Sequence, residues 1–141
     1  MSDQYIEVTQ EAGRAFVMSN HQGAFVMLNF LRFKETADYS ANPELAPSVP
    51  ISGEEAYNKY ITHTLPLLEK AGSALIFKGA GGNYLIGPPD KRWDVVLLVR
   101  HRSVEDFMAF ATDAEYLAGA GHRTAALEDS RLLPIVEDQL L

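Results

Sequence analysis

The chain has 141 residues, 47% of them hydrophobic and 22% charged, which is typical of one folded domain rather than of a disordered segment. Its net charge of −7 includes no basic stripe, which argues against nucleic-acid binding, and the absence of cysteine excludes disulfides, thiolate nucleophiles, zinc fingers and iron–sulfur sites. No apolar run is long enough for a transmembrane helix and no signal-peptide pattern begins the chain, so we expect a single cytoplasmic domain over residues 1–141.

Apolar residues in the first third of the chain recur first at helical spacing and then as a continuous run. Thr9 is placed to cap the helix, and the following run is rich enough in Phe, Val, Met and Leu for a strand buried on both faces. The predicted elements are a helix over residues 9–18 within an N-terminal extension over 1–23, a strand over 24–33 and a proline-containing loop over 34–50.

A capping box begins the next predicted helix, over residues 52–71, because the Ser52 hydroxyl can accept from the Glu55 N–H. Gly72 is placed to end this helix, and Pro66 is expected to kink it. Its predicted inner face consists of Tyr57, Tyr60, Ile61, Thr64, Leu65, Leu68 and Ala71.

Glycine and proline residues are expected to interrupt or limit the helices and strands in the second half of the chain. We predict that the glycines at 79–82 interrupt a strand with a bulge, that Gly119 and Gly121 break a helix, and that Pro134 places the last strand at an edge. The predicted elements are a strand over 73–78 resumed at 83–86, a strand over 93–101, a short helix after Ser103, a helical segment from Asp113 to Leu117, a helical turn over 124–127 and a strand over 130–136.

This order of elements predicts an α+β protein with the ferredoxin-like βαββαβ fold. Such a fold has a four-stranded antiparallel sheet with two helices on one face, and here an extra N-terminal helix precedes it. The other face of such a sheet should be polar at alternate positions if it is open to water.

The first and third strands are apolar on both faces. Phe25, Met27 and Leu31 alternate with Val26 and Leu28 on the first strand, and the third strand follows the same pattern, with Trp93 on the face of Val95 and Leu97. Leaving about eight such side chains in water would lose roughly 12–24 kcal/mol of hydrophobic stabilisation, which is as large as the free energy of unfolding of a whole domain. The N-terminal helix would cover part of the second face, and a second copy of the chain would cover all of it, so we predict a homodimer through the sheet faces.

Several segments resemble the domain-of-unknown-function 1330 family, within the superfamily of dimeric α+β barrels. The segments are the strand of residues 26–33, the helix-forming stretches 52–57 and 66–72, the strand of residues 93–99 and the closing segment 122–132. The resemblance implies a dimeric barrel formed by two sheets and a small-molecule pocket between each sheet and its helices. The wider superfamily includes cofactor-independent monooxygenases, isomerases and haem-degrading enzymes.

Polar residues within apolar segments are the candidate site. His122 and Arg123 could move a proton and hold a carboxylate, and Asn29 could orient a ligand, so these three are the candidate catalytic residues. The candidate ligand-binding residues are Arg32, Tyr60, His63, Tyr84 and Trp93. Each also has a structural interpretation, such as an Arg32 ion pair with Asp94 or Asp129, a backbone bond from Asn29, or Trp93 as a core or interface anchor.

Three functions remain open from the residues. The first is a small-molecule-binding protein or cofactor-independent enzyme whose ligand is a small carboxylated or aromatic metabolite. The second is a non-catalytic dimeric structural module. The third is a haem-binding or monooxygenase-like protein, which Asn29, Trp93 and either His101 or His122 would serve by resemblance to the haem-degrading members. We expect no metal, since the four histidines lack metal-ligand spacing. We also expect no cofactor, no nucleic-acid partner and no membrane partner.

Overall fold

The computed structural model describes residues 4–19 and 21–137. Its elements are α1 (Gln10–Met18), β1 (Phe25–Phe33), a short 3₁₀ helix (Pro43–Leu45), α2 (Gly53–Lys70), β2 (Ala74–Gly82), β3 (Trp93–His101), α3 (Val104–Ala111), α4 (Ala114–Ala126) and β4 (Leu127–Ile135). The strands form one antiparallel sheet in the order β2-β3-β1-β4. The predicted ferredoxin-like fold is therefore confirmed. Across the described part of the chain, no helix has the length and apolar character needed to cross a bilayer.

The predicted helix starts are confirmed by their capping bonds. The side chains of Thr9, Ser52 and Ser103 accept hydrogen bonds from the backbone N–H groups three residues later, and Asp113 caps α4 in the same way. Gly72 follows α2 with a φ of +80°, a left-handed conformation that glycine adopts without strain. Local chemistry therefore sets where the helices begin, and a glycine marks where α2 ends.

The predicted interruption at residues 79–82 is wrong, because β2 runs through these glycines. Gly79 pairs with Val96 and Gly82 pairs with Trp93, while the register shift lies earlier, between Leu75 and Phe77. A β-carbon on Gly81 would lie 2.4 Å from the Trp93 carbonyl oxygen. Glycine is required there because the two backbones approach closely, not because the strand ends.

The predicted break at Gly119 and Gly121 is also wrong. Helix α4 is continuous from Ala114 to Ala126, and β4 begins immediately afterwards, three residues earlier than predicted. Both glycines are buried where other elements cross the helix: a β-carbon on Gly119 would lie 2.2 Å from the His63 ring, and one on Gly121 would lie 2.6 Å from Asn42. Tertiary packing therefore outweighs the low helix propensity of glycine.

The N-terminal helix does not cover the second face of the sheet, where the sequence allowed it to cover a part. The Phe16 ring of α1 packs at 5.5 Å from Phe25 and 5.8 Å from Phe107 of α3. Phe25 belongs to the face of β1 that also carries Met27 and lies under the helices. Helix α1 therefore extends the helix layer and leaves the opposite face free.

Among residues 4–19 and 21–137, helices lie over one face of the sheet and no helix lies over the other. Leu31, Phe33 and Leu97 belong to a core cluster with Tyr57 and Tyr60 of α2. Side chains at the alternate positions form the opposite surface, which we call the open face. Its apolar members are Val26, Leu28 and Phe30 of β1, Phe77 of β2, Val96 and Leu98 of β3, and Leu133 and Ile135 of β4.

The long loop over residues 34–50 is folded onto the helix layer of its own subunit. Backbone N–H groups of Lys34 and Asp38 donate to the carbonyls of Ala126 and Ala125, at 2.8 and 2.9 Å. The Ala37 N–H donates to the Ile51 carbonyl at 2.9 Å. These bonds fix the loop against the end of α4, so its side chains can contribute to a site there.

Candidate functional site

A groove of about 530 Å³ on the helix layer contains two of the predicted site residues, His63 and His122. Positions i, i+3, i+4, i+7 and i+8 of α2 form one wall, and α4 contributes the other through His122. The lining residues are Glu55, Asn58, Lys59, Thr62, His63 and His122. The α2 residues in this wall alternate with the buried residues of α2, so the groove lies on the outer side of the helix layer rather than between helices and sheet.

His122 is hydrogen-bonded to a residue of the long loop. Its Nδ1 lies 2.7 Å from the Tyr39 hydroxyl, and the two rings meet edge to face. Gly121 makes this contact possible, because Asn42 and Leu45 of the loop occupy the space that a β-carbon would need. When Tyr39 donates to Nδ1, the proton of a neutral imidazole resides on Nε2, which leaves a donor for a ligand in the groove.

The charge state of this pair is set by burial and neighbouring cations. Burial lowers the pKa of His122 from its ordinary 6.5, and Lys59 and His63 lower it further. Burial raises the pKa of Tyr39 above 10.0, so its hydroxyl stays protonated at neutral pH. The pair is therefore a neutral imidazole beside a phenol that can donate a hydrogen bond.

His63 is held in place by the neighbouring helix. Its Nε2 lies 2.6 Å from the carbonyl oxygen of Glu115, and its ring rests against Gly119. A larger residue at 119 would push this ring out of its position, since only glycine leaves room for it. His63 therefore presents a fixed ring to the groove, with Nδ1 as its second polar atom.

The groove contains one lysine side chain and one carboxylate side chain. Lys59 and Glu55 are both exposed and lie one helical turn apart on α2. Lys59 and the Nε2 of His122 provide donors for an anionic group, while Glu55 restricts where a second negative charge can lie. This arrangement can bind a small anion and transfer a proton to or from it.

Three other predicted residues meet at the rim of the open face. Arg32 is buried and pairs with Glu128 at 3.2 Å and Asp129 at 3.4 Å. The Trp93 ring lies 5.8 Å from the Arg32 guanidinium, and its Nε1 donates to the Tyr84 hydroxyl at 2.6 Å. The predicted pairing of Arg32 with Asp129 is thus present.

Trp93 does not lie on the face that strand alternation predicts. Its ring contacts Phe30 at 5.6 Å and the Arg131 guanidinium at 5.2 Å, and these side chains belong to the opposite face from Leu97. The pairing of β1 with β3 ends at Leu31 and Val95, so β1 does not hold Trp93 in register. The Trp93 ring therefore packs on the open-face side at a point beyond the end of the β1–β3 pairing.

The remaining predicted residues lie apart from the groove. The Tyr60 hydroxyl is 2.9 Å from that of Tyr116, and burial raises the pKa of Tyr60 well above 10.0. Arg123 donates to the Ile6 carbonyl at 2.7 Å and ties the N-terminal segment to α4. Asn29 donates to the Met27 carbonyl at 3.2 Å, the backbone bond that its structural interpretation expected.

The set proposed for haem binding is also divided among separate places. Asn29 bonds within β1, Trp93 packs with Phe30, His122 bonds to Tyr39, and His101 lies 2.8 Å from the Ser73 hydroxyl. Each of these polar groups already has a partner in its own cluster. The structure brings together His63 and His122, and separately Arg32, Tyr84 and Trp93.

Sequence reasoning missed Tyr39, Lys59 and Asn58. Lys59 could have been found from the helical spacing that places it one turn before His63, and Asn58 from the same spacing before Thr62. Tyr39 gave no such signal, since its contact with His122 depends on how the long loop folds over α4.

A second groove, of about 600 Å³, is lined by different residues. It lies between α1 and the sheet and is mostly apolar, with Ala12, Ala15, Phe16, Ser19, His21, Phe25, Pro134 and Val136 as its lining. It therefore lies on the covered side of the sheet. The candidate residues identified from the sequence are found in other parts of the molecule.

The comparisons with known proteins concern the family and the fold. The model of the domain of unknown function DUF1330 matches residues 45–138. A crystal structure of the RPA0582 protein, a protein of unknown function from Rhodopseudomonas palustris, is 31% identical with a TM-score of 0.86, and the match covers 96% of this chain and 98% of that one. The methylated RPA0582 protein matches at 30% identity and a TM-score of 0.87, over 98% of both chains.

A more distant similarity supports the fold alone. An uncharacterized NIPSNAP domain protein from Burkholderia xenovorans is 12% identical with a TM-score of 0.50, over 83% of this chain and 97% of that one. A comparison with curated proteins found no match. The family model covers most of the chain, and the relative from Rhodopseudomonas palustris covers nearly all of it. The chain therefore belongs to the DUF1330 family of ferredoxin-like proteins, a family of unknown function.

Proposed function

We propose that this protein is a homodimer that binds a small carboxylate-bearing metabolite in the groove between α2 and α4. The observation that carries the ligand proposal is the Tyr39–His122 pair, which lies beside Lys59 and His63 in a groove of about 530 Å³. The two imidazoles and Lys59 line a shallow groove that is open to solvent, and a few such polar groups fix the orientation of a ligand in a small-molecule site. Arg123 and Asn29 act as structural residues in this proposal, because their donors are bonded to backbone carbonyls.

The dimer proposal is supported by the open face. Phe77, Leu133 and Ile135 keep 54%, 52% and 38% of their surface exposed in the single subunit. Moving such a side chain from water into a packed interface contributes about 1.5–3 kcal/mol. A second copy provides an identical apolar surface, and the eight apolar side chains can together offset the roughly 4–15 kcal/mol that association costs.

Ligand chemistry follows from the protonation of His122. A bound carboxylate favours the imidazolium form, so binding should be accompanied by proton uptake at His122. The low pKa of the free His122 makes this uptake unfavourable at high pH. Affinity for a carboxylate is therefore expected to rise as the pH falls from 8 to 6 (values chosen to bracket the ordinary histidine pKa). The same imidazole could then pass its proton to the ligand as a general acid.

Benzoate, a small aromatic carboxylate, is the probe for this proposal. Titration followed by amide chemical shifts should move the signals of Lys59, His63 and His122, and the affinity should increase on acidification. His122→Gln should weaken binding by about tenfold and remove most of the pH dependence, since a hydrogen bond to a charged group contributes about 1.5–3 kcal/mol.

A matched control is His21→Gln, since His21 lies outside this groove. This substitution should leave benzoate binding unchanged. Shifts confined to other parts of the chain, or His122→Gln binding as well as the unsubstituted protein, would contradict the ligand proposal. Those results would favour the alternative in which the protein is a dimeric module whose polar residues are structural.

A further inference from the structure

The loop between β2 and β3 exposes two aliphatic side chains almost completely. Leu85 is 100% exposed and Ile86 is 91% exposed, and the adjacent Tyr84 is 42% exposed. Single exposed apolar residues are common on protein surfaces, but two neighbouring aliphatic residues at the tip of a loop form a small patch that the described residues of their own subunit leave uncovered.

Several contacts and residue types restrain the conformation of this loop. The Tyr84 hydroxyl accepts a hydrogen bond from Trp93 Nε1 at 2.6 Å, which fastens the loop to the start of β3. Gly87 has a φ of +156° and lies against the Tyr84 ring, where a β-carbon would approach Cγ to 2.5 Å. Pro88 and Pro89 follow, and each fixes its own φ. The two aliphatic side chains are therefore held outward by a preformed backbone, which lowers the entropy cost of binding a partner.

The loop is continuous with the open face. Trp93, which anchors Tyr84, packs its ring at 5.6 Å from Phe30, a member of that face. The Leu85–Ile86 tip thus extends from the rim of the same apolar surface. A partner that covers the open face is the one best placed to cover the tip as well.

We propose that residues 83–90 form an arm that packs its Leu85 and Ile86 side chains on the second copy of this chain. The inference rests on the proposed homodimer and adds an interface element outside the sheet. Symmetry doubles the contribution, because each subunit of a two-fold dimer presents its own arm to the other. The arm would also hold the two sheets in one relative orientation, since its contacts lie away from the centre of the interface.

Thiol labelling tests the arm directly, because the chain has no cysteine of its own. Leu85→Cys introduces one thiol at the tip, and Val49→Cys introduces a matched thiol at an aliphatic position that is 63% exposed in the long loop. Both are labelled with a maleimide while light scattering reports the mass. In a dimer, the thiol at position 85 should react at least about tenfold more slowly than the one at position 49, because shielded thiols react poorly.

Combining Leu85→Cys with Leu28→Asp, at the centre of the open face, tests whether the slow labelling depends on the dimer. The added substitution should produce monomers and restore fast labelling at position 85. A dimer whose thiol at 85 reacts as fast as that at 49 would overturn the arm and leave the dimer intact. A monomeric unsubstituted protein would overturn both. Loss of the dimer in Leu85→Cys but not in Val49→Cys would support the arm.

Discussion

Replacing Leu28 by Asp is expected to convert the protein from a dimer to a folded monomer. Leu28 pairs with Leu98 on β3 and Leu133 on β4, so it lies in the middle of the open face. A carboxylate there would be buried without a partner in the dimer, which costs several kcal/mol, but it would reach water in the monomer. We expect the dissociation constant to rise by at least about a thousandfold, which corresponds to about 4 kcal/mol.

Val49→Asp is the control for this substitution, because Val49 is also apolar and lies in the long loop, away from the sheet. Sedimentation velocity should show a dimer for Val49→Asp and a monomer for Leu28→Asp, with circular dichroism unchanged in both. A Leu28→Asp protein that stays dimeric would show that copies associate through another surface. If Leu28→Asp prevents folding, Leu133→Asp takes its place in the same experiment, because Leu133 is half exposed in the single subunit and tolerates a carboxylate better.

Acid is expected to destabilise the protein through His101. This residue is 2% exposed, its Nδ1 lies 2.8 Å from the Ser73 hydroxyl, and the rings of Phe25 and Phe107 pack against it at 5.5 and 4.8 Å. Burial among these rings lowers the pKa of His101 from 6.5 to about 4. No charged partner compensates a protonated ring among these contacts, so the folded state favours the neutral imidazole.

The sign of the effect follows from proton binding. Below pH 6.5 the unfolded chain takes up a proton at this histidine, whereas the folded chain does so only near pH 4. The stabilisation is complete above pH 6.5 and is lost as the pH falls to about 4, which amounts to roughly 3 kcal/mol.

His101→Phe should remove this pH dependence, because phenylalanine fits the aromatic cluster and does not titrate. Between pH 7 and pH 4, the free energy of unfolding measured with urea should fall by about 3 kcal/mol less in the substituted protein than in the original. Ser73→Ala removes the hydrogen bond and keeps the imidazole, so it should retain the acid sensitivity. If His101→Phe lost as much stability as the original protein between these two pH values, His101 would not be the group responsible.

The fold could be predicted from local signals. Thr9, Ser52 and Ser103 mark helix starts because each side-chain oxygen accepts from a free N–H group in the first turn. Each of these residues precedes a segment with apolar residues at helical spacing. The strands are evident because runs of β-branched and aromatic residues suit a buried sheet. The element order then restricts the topology to the one observed.

Two predictions based on the low helix and strand propensity of glycine were wrong. Gly81 and Gly119 have the same intrinsic preference against regular structure, yet one lies within a strand and the other within a helix. In both cases the missing β-carbon leaves space for a neighbour, the Trp93 carbonyl or the His63 ring. Such contacts join residues far apart in sequence, so a local pattern does not contain them.

The candidate site was only partly predictable for a related reason. His63 and His122 could be selected by residue type, since histidine changes charge near neutral pH. Their separation from Arg123 and Tyr60 follows from which helix face each residue occupies, whereas Asn29 is separate because it lies on β1. The contribution of Tyr39 depends entirely on that loop.

The most direct test of the central claim, that a second copy covers the apolar open face, is the mass of the protein in solution. Size-exclusion chromatography with light scattering at micromolar concentration should give twice the chain mass of 15.6 kDa. A homogeneous species of 15.6 kDa that stays soluble would contradict it, since the open face would then be exposed to water in the native protein.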